Sequence, residues 1–112
     1  MEANKIIITG GATRIGAAIA EKLSGPGKEI VIHFNRSKSK AEKLKKKLSK
    51  NKTKVYLVKG DLSKEMDVNK IVKFAKSKLK YFDCLINNAS LFENDKLKNF
   101  TTDSWGKHLR TN

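Results

Sequence analysis

An α/β fold, an open parallel sheet with helices on both faces, is predicted by three observations: four short β-branched runs, amphipathic stretches of helical period between them, and a glycine turn directly after the first run. Lys5 to Thr9 reads as a buried strand that stops at Gly10-Gly11. Ile15, Ala18, Ile19 and Leu23 then recur at helical spacing, and Gly25-Pro26-Gly27 ends that helix. Glu29 to Phe34 is the second strand. Ser37 or Ser39 caps the next helix, whose narrow apolar face is Ala41, Leu44 and Leu48 and which Asn51 terminates. Lys54 to Val58 is the third strand, and Ser63 caps a long helix striped by Val68, Ile71, Val72, Ala75 and Leu79, with Phe82 at its exit. Asp83 to Asn87 makes the fourth strand, and Thr101 or Thr102 starts a further helix carrying Trp105 and Leu109.

Strand and helix alternate, and right-handed crossovers then nearly fix the topology. The strand order expected is 3-2-1-4, a partial doubly wound sheet of Rossmann type with its switch point between strands 1 and 4. Ligands of such sheets bind outside the carboxyl ends of the strands at that crevice. Both the glycine turn and Asn87 to Ser90 open onto it.

The bulk composition bounds the function. With 112 residues the chain is one domain or part of one. Hydrophobic residues at 38% and charged residues at 32%, with one proline and seven glycines, are globular proportions rather than those of disorder. The longest apolar runs, such as Ile6-Ile7-Ile8, fall far short of the roughly 20 residues of a membrane span, and no signal-peptide core precedes the first strand. A cytoplasmic protein is the expectation. The formal charge of +14 would attract polyanions, but lysines such as Lys38, Lys40, Lys43, Lys45, Lys46, Lys47 and Lys50 occupy helix positions outside the apolar stripe. They read as a solvated surface. The aromatics are not interleaved with them as a nucleic-acid stacking platform would require. Cys84 has no cysteine to pair with and reads as core, and His33 and His108 lack the partners of a metal site.

Thr9-Gly10-Gly11-Ala12-Thr13-Arg14-Ile15-Gly16 carries the chemistry, because it follows a strand and opens a helix. Gly10 permits the tight turn and Gly16 a close approach of helix to sheet, while the helix N-terminus offers free N–H groups to phosphate oxygens. The second strand ends His33-Phe34-Asn35-Arg36-Ser37-Lys38, without the carboxylate that would accept hydrogen bonds from a ribose 2′-hydroxyl and repel a 2′-phosphate. Arg36, Ser37 and Lys38 suit a 2′-phosphate instead, since arginine engages phosphate bidentately, and Asn35 beside them is a further cofactor-binding candidate. NADP(H) rather than NAD(H) is therefore the expected cofactor.

These motifs resemble the short-chain dehydrogenase/reductase family, whose turn is usually TGxxxGxG. Thr9, Gly10 and Gly16 are kept, with Arg14 at the middle glycine and Ile15 beside it. The form TGxxxR(I/L)G is similar to the pteridine reductase and dihydromonapterin reductase branch, in which the resemblance implies that Arg14 faces cofactor phosphates and substrate. The alternative is a solvent-facing arginine in a first helical turn. Asp61-Leu62-Ser63 resembles the segment whose aspartate and following backbone contact the adenine, although it also reads as a helix-capping stretch. Asn87-Asn88-Ala89-Ser90 resembles the family's NNAG segment with serine in the last place. By this resemblance Asn88, Ala89 and Ser90 touch the cofactor, Ser90 also faces substrate, and Phe92 stacks on a flat heteroaromatic substrate. Asn112 matches the asparagine that positions a water in the proton relay.

The family's catalytic Tyr-x-x-x-Lys pair has no counterpart: Gly60 stands four residues after Tyr56, and Leu85 four after Tyr81. Residues 5–112 therefore resemble the first half of a family member, and the expectation is a truncated single NADP-binding domain, inactive alone. The function implied is hydride transfer from NADPH to a pteridine-like C=N bond or a carbonyl of a small-molecule substrate, in a full-length homo-oligomer, dimer or tetramer. The alternatives are a carbonyl reductase of the 3-oxoacyl-carrier-protein type and a stand-alone nucleotide-binding regulatory module.

Overall fold

The computed structural model describes residues 4–88, which form β1 (Lys5–Thr9), α1 (Arg14–Leu23), β2 (Glu29–Phe34), α2 (Lys38–Ser49), β3 (Lys54–Lys59), α3 (Glu65–Leu79) and β4 (Cys84–Asn87). All neighbouring strands pair in parallel, in the order β3-β2-β1-β4. The expected topology is the observed one. The helix expected near Trp105 lies outside the described residues.

The sheet separates two apolar layers because alternate strand residues point to opposite faces. Ile6, Ile8, Ile30 and Ile32 pack with Ala20 of α1 and Leu44 and Leu48 of α2. Ile7, Val31 and Val58 pack on the other face with Val68, Ile71, Val72, Ala75 and Leu79 of α3. Both central strands are thus covered on both faces, which explains their unbroken β-branched runs. Fully burying one such side chain contributes about 1.5–3 kcal/mol, so these two layers dominate the stability. The α2 lysines that the sequence places outside its apolar face are all exposed.

The third strand runs one residue further than expected, to Lys59, and four other local details depart from expectation for a physical reason. Ile15 and Ala18 do not face the core: Ile15 is 65% exposed, and α1 instead buries Ala20 against the sheet and Gly16 against the turn that precedes it. Ser63 does not cap α3. Its hydroxyl and N–H bind the Asp61 carboxylate, leaving Lys64 at the cap position without a side-chain bond. Ser37 stands at the α2 cap but its hydroxyl makes no capping bond, and α2 ends at Ser49, ahead of a left-handed Lys52 with φ 67°. The fourth strand begins at Cys84, because Asp83 uses its carboxylate to accept from the N–H groups of Asn4 and Lys5, each at 2.9 Å.

Among the described residues no helix is long and apolar enough to cross a membrane, and no cluster of histidine, cysteine and carboxylate side chains could hold a metal.

Candidate cofactor site at the carboxyl edge of the sheet

The turn between β1 and α1 is built by a short polar network. Gly10 has φ 64°, a left-handed conformation that glycine adopts without steric cost. Its carbonyl oxygen then accepts from the Thr13 N–H at 3.2 Å, the Thr13 hydroxyl at 2.8 Å and the Asn88 side-chain amide at 3.1 Å. Thr13 caps α1: its Oγ1 accepts from the Gly16 N–H at 3.2 Å and from the Asn88 amide at 2.9 Å. The first helical bond runs from Ala17 N–H to Thr13 O, and no described residue accepts from the N–H groups of Arg14 and Ile15. Two donors therefore remain open at the positive end of the helix dipole, the arrangement that binds anions.

Gly16 is required by this compactness. A Cβ there would lie 2.4 Å from the Gly10 carbonyl oxygen and 2.7 Å from both the Asn88 amide nitrogen and Gly11 Cα. The sequence assigned Gly16 to a close helix-to-sheet approach, and the structure shows that its own turn is what crowds it.

The remaining described candidates come to the same edge. Asn35 and Ser37 are half-buried and Arg36 is exposed, all directly after β2. Asp61 follows β3, with its N–H donating to Asp67 Oδ2 at 2.7 Å. Its carboxyl is held below the usual carboxylate range by the Ser63 hydroxyl and N–H, with smaller help from Lys64 and Arg36. Arg36 after β2 thus lies within weak electrostatic reach of Asp61 after β3. The Leu62 side chain is fully buried in the α3-side layer, so only its backbone is available to a ligand.

Two candidates serve the fold at this edge. Thr9 is fully buried, its hydroxyl accepting from the Asn88 N–H at 3.1 Å and donating to Ile86 O at 3.4 Å. Asn88 directs its side-chain amide into the turn and so braces it. Arg14 is exposed and, with Ile15, Ala18, Ile19, Lys22, Leu23 and Ile86, lines an open apolar groove beside β4. Ala89, Ser90, Phe92 and Asn112 lie outside the described residues.

Sequence reasoning missed two contributors. Thr13 had a readable signal, a threonine immediately before a helical pattern. His33 had none, because its partners Gly10 and Gly60 are 23 and 27 residues away.

Comparison with known proteins gives a consistent picture. The family profile described as short chain dehydrogenase matches residues 4–112. The short-chain dehydrogenase/reductase homolog YusS of Bacillus subtilis (strain 168) is 33% identical over 89 residues, 79% of this chain and 82% of that protein. Other curated relatives are much longer: this chain spans only 42% and 41% of two that are 30% identical to it. Among solved structures, a short-chain dehydrogenase of Oenococcus oeni PSU-1 superposes with a TM-score of 0.79 at 28% identity, over 96% of this chain and 57% of that one. FolM alternative dihydrofolate reductase 1 of Brucella canis, solved in complex with NADP, gives 0.69 at 36% identity, over 80% of this chain and 36% of its own.

Proposed function

This chain belongs to the short-chain dehydrogenase/reductase family, and from that premise we propose that its glycine turn holds NADP(H) for a reductase acting on a pteridine-like C=N bond or a carbonyl. The observation that carries the reading is the turn itself: two open N–H groups at the α1 N-terminus, fixed by Thr13 and Asn88 around a Gly16 that admits no side chain. Gly10, Arg14, Ile15 and Gly16 are assigned to the pyrophosphate, and Asn35, Arg36 and Ser37 to the 2′-phosphate. Asp61 and the Leu62 backbone are assigned to the adenine, and Asn88, Ala89 and Ser90 to the nicotinamide side. Arg14, Ser90 and Phe92 are the proposed substrate contacts, with Asn112 in the proton relay.

The NADP preference is supported by an exposed Arg36, without a neighbouring carboxylate on the β2 end, and by the NADP carried by the Brucella FolM structure. The pteridine-like substrate is supported by Arg14 in the turn and by the 36% identity to that alternative dihydrofolate reductase. Bound NADPH would supply the hydride; the protein's part is to bind and orient it. No Tyr-x-x-x-Lys spacing occurs in these 112 residues, so in this reading the proton donor lies outside residues 1–112. The full-length enzyme is proposed to be a cytoplasmic homo-oligomer.

The test is NADPH consumption by the full-length gene product with a dihydropteridine, a simple ketone and a 3-oxoacyl thioester. Turnover with the dihydropteridine is expected. Turnover with NADH alone, or with none of the three, would overturn the reading. One observation favours a second reading, a nucleotide-binding module without reductase activity: the YusS match runs over 82% of that relative. NADPH binding without turnover of any carbonyl or C=N compound would select it.

A further inference from the structure

We propose that His33 is the positioning residue of this cradle: its neutral ring clamps the glycine turn after β1 to the corner after β3, and a proton on the ring releases the turn. The inference rests on the proposed function for its link to the cofactor. The clamp itself rests on geometry. The residue is 2% exposed, at the end of β2 between the two loops. Ring atom Nδ1 accepts from the Gly10 N–H at 3.0 Å, and Nε2 lies 2.7 Å from the Gly60 carbonyl oxygen. An N–H can only donate and a carbonyl can only accept, so Nδ1 is bare and Nε2 carries the hydrogen. The partners thus select one tautomer of the uncharged ring.

Both partners stand at functional corners. Gly10 opens the phosphate turn, and Gly60 immediately precedes Asp61. The His33 carbonyl adds a third tie, accepting from the Gly11 N–H at 3.0 Å. Gly60 is itself tied to the end of β2, its N–H donating to the Phe34 carbonyl oxygen at 3.0 Å. The imidazole therefore acts as a spacer of set length between the pyrophosphate and adenine ends of the proposed site.

Protonation would set Nδ1–H against the Gly10 N–H, two donors facing one another in a water-poor position. Burial lowers the His33 pKa below its ordinary value of 6.5, which keeps the clamp neutral at physiological pH. The charged groups facing it are Asp61 after β3 and Asp67 on α3, which favour the proton, and Lys70 on α3, which opposes it. From the β1 turn the ring meets the uncharged Gly10 backbone N–H. A depressed value means that the unfolded chain takes the proton first. The stabilisation is thus complete above about 6.5 and is lost as pH falls through the folded-state value.

The test combines nitrogen NMR of the unliganded protein from mildly alkaline to acid pH with NADPH dissociation constants for the wild type, His33→Leu and His33→Asn. The asparagine keeps an acceptor where Nδ1 stood, so it preserves the Gly10 bond and cannot be protonated there. The ring should show the Nε2–H tautomer, and the Gly10 amide should shift with His33 titration. H33L should weaken NADPH binding about tenfold or more at neutral pH. H33N, which keeps the Gly10 bond but is too short to reach the Gly60 carbonyl, should restore only part of that affinity and should lose less of it on acidification than the wild type; comparing the two removes the titration of the 2′-phosphate itself. A Gly10 amide indifferent to His33 titration, or H33L binding with wild-type affinity, would overturn the clamp. If Gly10 follows the ring but the wild type fails to bind NADPH, the cofactor reading falls and the clamp stands.

Discussion

At Gly16 the neighbours that a Cβ would strike include backbone, the Gly10 carbonyl oxygen at 2.4 Å and Gly11 Cα at 2.7 Å, so no rotamer change relieves the clash. Gly16→Ala should therefore open the turn, costing about 1–3 kcal/mol of stability, and remove most of the NADPH affinity. Urea unfolding alongside cofactor titration checks both, and an unaltered dissociation constant would show that the turn is not the cradle. At this scale the sequence was readable where a residue type has one use. Gly10 in a left-handed turn and an arginine after a strand announce themselves. Thr9 and Asn88 were recognised as part of the site by resemblance, but their structural duty, tying β4 and the turn together through the Thr9 hydroxyl and the Asn88 amide, depends on strands 79 residues apart in sequence. The His33 clamp was illegible for the same reason.

Among the elements, strands were read almost to the residue, because a strand covered on both faces must be apolar throughout and ends where glycine or charge begins. Helix faces were less legible. Periodicity locates α1 but cannot say that its small Ala20 lies against the sheet while Ile15 lies out, since burying the smaller residue allows the closer approach. Ile15→Lys should accordingly leave unfolding stability within about 0.5 kcal/mol, and a large loss would mean that another element covers this groove. The junction of β1 and β4 depends on Asp83, whose carboxyl is held below its usual 3.8 by the Asn4 and Lys5 N–H groups, with Lys5 and Lys28 assisting. The folded chain binds that proton less tightly than the unfolded one. Its stabilisation is present above about 3.8 and is lost as pH falls through the lower folded-state value. The urea midpoints of wild type and Asp83→Asn should differ at neutral pH and converge in acid; a gap that persists in acid would contradict this.

For the whole molecule, the sheet brings the ends of four parallel strands to one edge, and the described candidates at that edge come from all four. Their common position follows from the topology, which strand and helix alternation had already fixed. Substrate chemistry is less legible, because Ser90, Phe92 and Asn112 fall outside the described residues and residues 1–112 hold no Tyr-x-x-x-Lys pair. The central claim is that this edge is an NADP site, with the α1 N-terminus taking the pyrophosphate and Arg36 the 2′-phosphate. Paired titrations of NADPH and NADH against the same protein test it most directly. The account predicts NADPH binding at least tenfold tighter, with the difference shrinking as salt is raised. Equal affinity for the two, or tighter binding of NADH, would contradict it.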